Sequence, residues 1–169
     1  MLDLACGIGR RSTALAQRGY RVIGLDASET FLEWARMLAD ERGVEVEFRR
    51  GDMKAAEERL RDHAGSLDAA INLFTSLGYY DRETDLDIRR QLHALTKPGG
   101  TLVIDIANRD WILRNFAARD FQYHEDGRVQ ITERSFDLED SSMHNTWRFY
   151  VREGEDLKHV ETFHVDHIL

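Results

Sequence analysis

The stretch Asp3-Leu4-Ala5-Cys6-Gly7-Ile8-Gly9 decides the fold that we expect for this chain. An apolar run that ends at two glycines is typical of a β-strand that turns sharply into a helix. Gly7 and Gly9 would let the backbone approach a ligand without Cβ clashes. In doubly wound sheets, ligands bind beyond the carboxyl ends of the strands, where the strand order reverses. We therefore expect a ligand site at this bend, although a Gly-x-Gly pair also occurs in ordinary turns.

The remaining sequence predicts an α/β protein. Strand-like and helix-like segments alternate to about residue 108, with a charged helix over residues 54–63 and a turn at Lys97-Pro98-Gly99-Gly100. This order predicts a doubly wound, mostly parallel sheet. Residues 109–169 read as an antiparallel β meander. Because Val129 and Ile131 are out of phase with Phe136 and Leu138, we expect a β-bulge near residues 133–135.

Two acidic residues follow the second and third predicted strands. Asp26 lies 17 residues after Gly9, where a carboxylate can accept hydrogen bonds from both ribose hydroxyls. The alternative is that Asp26 caps the next helix, for which Ser28 is already suited. Asp52 could accept from an adenine amino group while Met53 packs on the ring, or Gly51-Asp52 could be a simple turn.

Five segments, taken in order, resemble the motifs of class I S-adenosylmethionine (SAM)-dependent methyltransferases: residues 2–9, 22–28, 51–53, 71–79 and 97–105. The resemblance implies a Rossmann-like methyltransferase fold with SAM as its cofactor. It implies cofactor binding by residues that follow the first four strands or lie in the glycine bend: Asp3, Ala5, Cys6, Gly7, Gly9, Asp26, Ala27, Asp52, Met53, Asn72 and Leu73.

Residues 72–79 resemble the substrate-facing end of the fourth strand in this family. We take Asn72, Thr75 and Tyr79 as candidate catalytic residues, although Tyr79 could equally be a packing aromatic. The resemblance is strongest to small-molecule N-methyltransferases and implies a small-molecule acceptor methylated at nitrogen. No metal site is expected, because no ligand set with zinc-site spacing accompanies the late histidines.

Charge and composition restrict the kinds of binding partner that we expect. A net charge of −8 weighs against a nucleic-acid partner, and Arg10, Arg11, Arg18 and Arg21 read as solvated faces around one helix. The single cysteine, Cys6, excludes an internal disulfide and fits a reducing cytoplasm. No apolar run suits a membrane span and no signal peptide is evident, so we expect a cytoplasmic protein without a membrane partner.

The two ends of the chain bear on its organisation. We assign residues 1–108 to the SAM-binding core and residues 109–169 to a β-rich insertion or substrate or dimerisation subdomain of the same structural domain. Its C-terminal β strands could form a homodimer. The resembled family usually has a helical segment before the first strand and a closing β-hairpin, so we expect a chain truncated at both ends.

Two other functions compete with this hypothesis. An NAD-dependent oxidoreductase shares the sheet and the acidic residue, but its fingerprint asks for glycine or alanine where this chain has Ser12. A non-catalytic SAM-binding or dimerisation module is the second alternative.

Overall fold

A computed structural model describes all 169 residues of the chain. Residues 1–77 and 82–106 form one compact unit, and residues 78–81 and 107–169 form a second. No helix in the chain is both long enough and apolar enough to cross a bilayer.

The first unit is built on a five-stranded parallel sheet, which confirms the expected fold class. Its strands are β1 (Leu2–Leu4), β2 (Ile23–Asp26), β3 (Glu47–Arg50), β4 (Leu67–Asn72) and β5 (Thr96–Ile104). They lie in the order β3-β2-β1-β4-β5, so the direction of winding reverses between β1 and β4. That reversal places the expected ligand site at the carboxyl ends of β1 and β4.

The helices of this unit are α1 (Arg10–Ala16), α2 (Glu29–Glu41), α3 (Ala56–Arg59) and α4 (Arg82–Leu95), with 3₁₀ turns at Met53–Ala55 and Arg61–His63. The prediction of one helix over residues 54–63 was wrong, because the backbone leaves the helical region at Ala55 and Leu60. The side chain of Gln91 in α4 donates to the carbonyl of Lys54 and accepts from the amide of Glu57, at 2.8 and 3.0 Å. These bonds satisfy backbone groups that a continuous helix would have paired internally.

The predicted turn at residues 97–100 lies within β5 as an irregularity. Leu67 of β4 pairs with Thr96, whereas Ala69 pairs with Thr101, so the four residues between have no partner on β4. A core made mostly of leucines holds the sheet and its helices together. The fully buried members include Leu2, Leu4 and Leu25 on the sheet, Leu32 on α2, and Ile88, Leu92 and Leu95 on α4.

The second unit is an antiparallel sheet, which confirms the expected meander. It contains α5 (Arg109–Arg114), β6 (Arg119–Tyr123), β7 (Arg128–Asp137), β8 (Ser142–Glu153) and β9 (Asp156–Ile168). The strands lie in the order β6-β7-β8-β9. β6 was not predicted, since only its last three residues, Phe121, Gln122 and Tyr123, alternate between aromatic and polar.

The β-bulge expected at residues 133–135 was wrong. β7 pairs with β8 without a break, and the irregularity lies in β9, where Val160 is the extra residue between Glu161 and His159. Both apolar phases of β7 have apolar partners, because Ile131 pairs with Phe121 on one face and Phe136 pairs with Met143 on the other. A strand with two such faces needs no change of phase.

Candidate functional site

A pocket of about 170 Å³ lies where the ends of β1 and β4 meet. Sites that enclose a whole small molecule are usually about 300–1,000 Å³, so this pocket has room for one end of a cofactor-sized ligand. It is lined by Asp3, Ala5, Cys6, Gly7, Ile8, Arg10, Arg11, Leu73, Phe74 and Ser76. The structure thus brings together five of the predicted cofactor-binding residues: Asp3, Ala5, Cys6, Gly7 and Leu73.

The glycine bend forms one wall of the pocket. Ala5, Gly7 and Gly9 all have positive φ, at 58°, 55° and 72°. A Cβ placed on Gly7 would meet nothing within 4 Å, whereas one on Gly9 would lie 2.7 Å from the Cβ of Ala35 and 2.9 Å from Cζ of Phe48. Gly9 is therefore required by internal packing, and Gly7 leaves open space on the pocket side.

Asp26 ties the glycine bend to the end of β2. One carboxylate oxygen accepts from the amide of Gly7 at 2.8 Å, and the other accepts from the amide of Ser28 at 2.9 Å. Ser28 in turn caps α2 by accepting from the amide of Phe31. Asp26 thus helps to shape the start of α2, which was the alternative to ribose binding. Both its oxygens retain lone pairs that could accept from a ligand.

Asp3 is the buried acid of the pocket. Its carboxyl group accepts a 2.6 Å hydrogen bond from the hydroxyl of Ser12 and is almost fully shielded from solvent. Burial raises the pKa of Asp3 to about 6, while the bond from Ser12 and the positive charge of Arg11 act in the opposite direction. A cationic ligand group beside Asp3 would favour its ionised form.

Asp52 and Met53 do not line this pocket. Asp52 accepts from the amide of Lys54 at 2.9 Å and begins the 3₁₀ turn, which matches the turn alternative. Because Asp26 and Arg50 are partners in the pairing of β2 with β3, Asp52 nevertheless lies at the same edge of the sheet as the glycine bend.

Asn72 is fully buried at the end of β4. Its side-chain nitrogen donates to the carbonyl of Leu4 at 3.0 Å, which joins β4 to β1, and Asn72 is not among the residues that line the pocket. Its side-chain oxygen has no hydrogen-bond partner. An unsatisfied buried acceptor of this kind costs about 1–3 kcal/mol, and a ligand donor could satisfy it.

Residues 73–76 form a strained turn after β4, which we call the β4 corner. Phe74 and Thr75 have left-handed φ angles of 62° and 56°, which are unusual for an aromatic and a β-branched residue. Asp105 holds both of them, since its carboxylate accepts from the amide of Phe74 at 3.2 Å and its carbonyl accepts from the amide of Thr75 at 2.9 Å. Strain maintained in this way is often found at functional sites.

Arg10 and Arg11 are exposed, as predicted, but they also line the pocket, which was not predicted. The guanidinium carbon of Arg11 lies 4.5 Å from the centre of the Phe74 ring, and that of Arg10 lies 5.9 Å away. Both directly follow Gly9, and that position beside the glycine bend is the signal that could have identified them. The pocket therefore combines a buried acid with two cationic groups.

Tyr79 belongs to the second unit. Its ring packs edge-on against the imidazole of His167, with the ring centres 4.9 Å apart. Burial lowers the pKa of His167, which favours the neutral imidazole in this contact. These contacts agree with the packing alternative, and a catalytic role for Tyr79 stays a prediction.

Comparison with known proteins identifies the family of the chain. The model of the family described as "Methyltransferase domain" matches residues 1–100. A ubiquinone biosynthesis O-methyltransferase from Pseudomonas aeruginosa (strain UCBPP-PA14) is 35% identical over 111 residues, which are 65% of this chain and 45% of that protein. The chain thus spans less than half the length of this curated relative.

Solved structures show the same fold. A SAM-dependent methyltransferase from Clostridium acetobutylicum ATCC 824 aligns with a TM-score of 0.74 at 20% identity, covering 99% of this chain and 65% of that one. The sugar N-methyltransferase KedS8 from Streptoalloteichus sp ATCC 53650 aligns with a TM-score of 0.67 at 21% identity, covering 99% and 64%. At these identities the likeness supports the fold and leaves the acceptor open.

Proposed function

The chain belongs to the methyltransferase domain family, within the class I SAM-dependent group, and from that premise we propose that it transfers a methyl group from SAM to a small-molecule acceptor. The observation that carries the proposal is the pocket between the glycine bend and the β4 corner, with Asp26 bonded to the bend. SAM is the cofactor of this family, so the pocket residues of this chain should be able to bind it.

The residues present fit such a cofactor. The open space beside Gly7 admits close approach of a ligand, and Asp26 offers carboxylate oxygens for ribose hydroxyls. The buried acid Asp3 suits the ammonium group of the methionine portion. The unpartnered oxygen of Asn72 could accept a hydrogen bond from a donor of the cofactor or of the acceptor. Ala27, Asp52 and Met53 continue the proposed site along the sheet edge toward the adenine.

A bound SAM supplies a methyl group that is already activated on a sulfonium, so the protein has mainly to position the acceptor. We assign this positioning to the β4 corner, where the hydroxyl of Thr75 can donate to or accept from an acceptor. Asp105 accepts hydrogen bonds from two amides of the corner, which orients its backbone toward an acceptor. Tyr79 remains the third candidate for acceptor contact.

For the acceptor atom we propose nitrogen. The motif-level resemblance to small-molecule N-methyltransferases and the structural likeness to a sugar N-methyltransferase support it. The curated relative named above is an O-methyltransferase, so oxygen is the competing choice. A nitrogen acceptor must be neutral to react, which predicts that turnover rises with pH up to the pKa of the amine.

Calorimetric titration with S-adenosylhomocysteine (SAH), the demethylated product of SAM, tests the proposal. We expect the wild-type chain to bind SAH and not NAD. Replacing Asp26 with asparagine should weaken SAH by at least about tenfold, since a charge-assisted bond contributes roughly 1.5–3 kcal/mol. Asp40→Asn, which alters an exposed carboxylate on α2, is the matched control. Binding of NAD in preference to SAH would favour the oxidoreductase alternative, and SAH binding without turnover on any amine would favour the non-catalytic module.

We also propose a homodimer through the C-terminal β strands. β9 is an edge strand of thirteen residues, and it exposes Leu157, Val160 and Phe163. An uncovered edge of this length offers its backbone groups to another strand, and a second copy would cover both the edge and the apolar side chains. Sedimentation velocity should show a dimer that Val160→Lys dissociates. A wild-type chain that remains monomeric at high concentration would refute this assignment.

A further inference from the structure

The backbone of the β4 corner is held by hydrogen bonds, whereas the side chain of Phe74 is largely exposed. Asp105 accepts from the amides of Phe74 and Thr75, but the residue Phe74 is 58% exposed. Two consecutive left-handed residues have less strained conformations available to them. What holds the ring therefore influences whether the corner keeps its shape.

Arg11 is the group closest to that ring among the cations of the pocket. Its guanidinium lies over the Phe74 ring at 4.5 Å and forms no ion pair in the structure. A guanidinium can stack one flat face on an aromatic ring while its edge still presents N–H donors. The edge of Arg11 is thus available to a ligand in the same pocket that contains Asp3.

The charges of the pocket match an amino-acid group. The carboxyl group of Asp3 would face an ammonium, and the edge of Arg11 would face a carboxylate, which accepts two parallel bonds from a guanidinium. The adenosyl portion of the proposed cofactor carries neither group. Only the amino-acid end of the molecule would engage Arg11.

We propose that Arg11 is a positioning residue that couples the carboxylate of the cofactor to the β4 corner. A bound carboxylate fixes the guanidinium, the guanidinium fixes the Phe74 ring, and the corner that receives the acceptor is held in its strained shape. The inference rests on the proposed function, because it takes SAM or SAH as the ligand. An adenosyl ligand without the carboxylate leaves the corner as mobile as in the free protein.

Hydrogen exchange of the Phe74 and Thr75 amides tests the coupling in the full chain. The two probes are SAH and decarboxylated SAH, which retains the amine and lacks the carboxylate, each at saturating concentration. We expect SAH to slow exchange at the corner by about tenfold more than the decarboxylated probe does. Arg11→Gln should abolish that difference in exchange. It should also lower the affinity for SAH by about 10- to 100-fold and leave the affinity for decarboxylated SAH within about twofold of the wild-type value.

Two further variants separate coupling from simple binding. Arg18→Gln is the matched control, because Arg18 is exposed beyond the end of α1 and its side chain donates to the carbonyl of Ala14. Phe74→Leu should keep the affinity for SAH within about threefold and lose the protection of the corner, since the ring and not the carboxylate contact has been removed.

The outcomes are distinguishable. Unchanged SAH affinity in Arg11→Gln, or equal protection of the corner by both probes, would overturn the coupling while leaving the proposed function intact. A wild-type chain that binds neither probe would overturn the proposed function and the coupling together.

Discussion

Replacing Asp3 with asparagine should stabilise the fold and weaken the ligand site. Burial raises the pKa of Asp3 from the ordinary 3.8 to about 6. Between these values the folded chain keeps a proton that the unfolded chain has released, so the free energy of unfolding falls as pH rises from about 4 to about 6. A pKa difference of about two units destabilises the fold by about 3 kcal/mol, and this loss is complete above about pH 7.

Asparagine can still accept the bond from Ser12 and carries no charge to bury. We therefore expect Asp3→Asn to raise the free energy of unfolding by up to about 3 kcal/mol at about pH 7.5 and to change it little at about pH 4. Urea unfolding followed by circular dichroism at both pH values measures the difference between variant and wild type. Ser12→Ala removes a hydrogen bond that lowers the pKa of Asp3, so the free energy of unfolding of this variant should depend more strongly on pH.

The same substitution should act in the opposite direction on the ligand. Asp3→Asn should weaken SAH by about tenfold or more, because the ammonium group loses its carboxylate partner. In the wild-type chain, the affinity for SAH should increase as pH rises through about 6, where Asp3 ionises. A stability difference between variant and wild type that does not change with pH would refute the assignment of a buried, protonating carboxyl.

Three further substitutions test the separate roles of the bend and the core. Gly7→Ala should lower the free energy of unfolding by only about 1 kcal/mol, through its positive φ, yet weaken SAH by at least about tenfold because the new methyl occupies ligand space. Gly9→Ala should lower the free energy of unfolding by about 3 kcal/mol, because backbone strain and overpacking act together. Equal losses of stability in Gly7→Ala and Gly9→Ala would contradict these roles. Leu92→Ala, which opens a cavity in the core, should cost about 3 kcal/mol in urea unfolding and leave calorimetric SAH affinity within about twofold.

The sequence predicted those parts of the site that depend on local pattern. The run from Asp3 to Gly9 gave the strand and its bend, and the spacing to Asp26 gave a carboxylate that the structure places against Gly7. Both are consequences of short segments that fold in a similar way wherever a parallel sheet is wound. The doubly wound, parallel topology was predicted from the alternation of strands and helices, whereas the order of the strands was not.

The parts that were missed depend on residues far apart in sequence. The left-handed backbone of Phe74 and Thr75 is held by Asp105, and no local pattern announces such a contact. Arg11 lies in the site because its guanidinium packs on the ring of Phe74, 63 positions further along the chain. The bulge was expected in β7 because only one apolar face was considered, whereas the observed pairing supplies partners on both.

The close contact of Gly9 with Ala35 and Phe48 has a consequence for how such chains diverge. Because the missing Cβ leaves only enough room for the methyl of Ala35 and the edge of the Phe48 ring, the sizes of these three residues are not independent. Homologues that acquire alanine or serine at position 9 should compensate with a smaller residue at position 35 or 48. An alignment should therefore show these positions covarying, even though positions 35 and 48 lie outside the pocket itself.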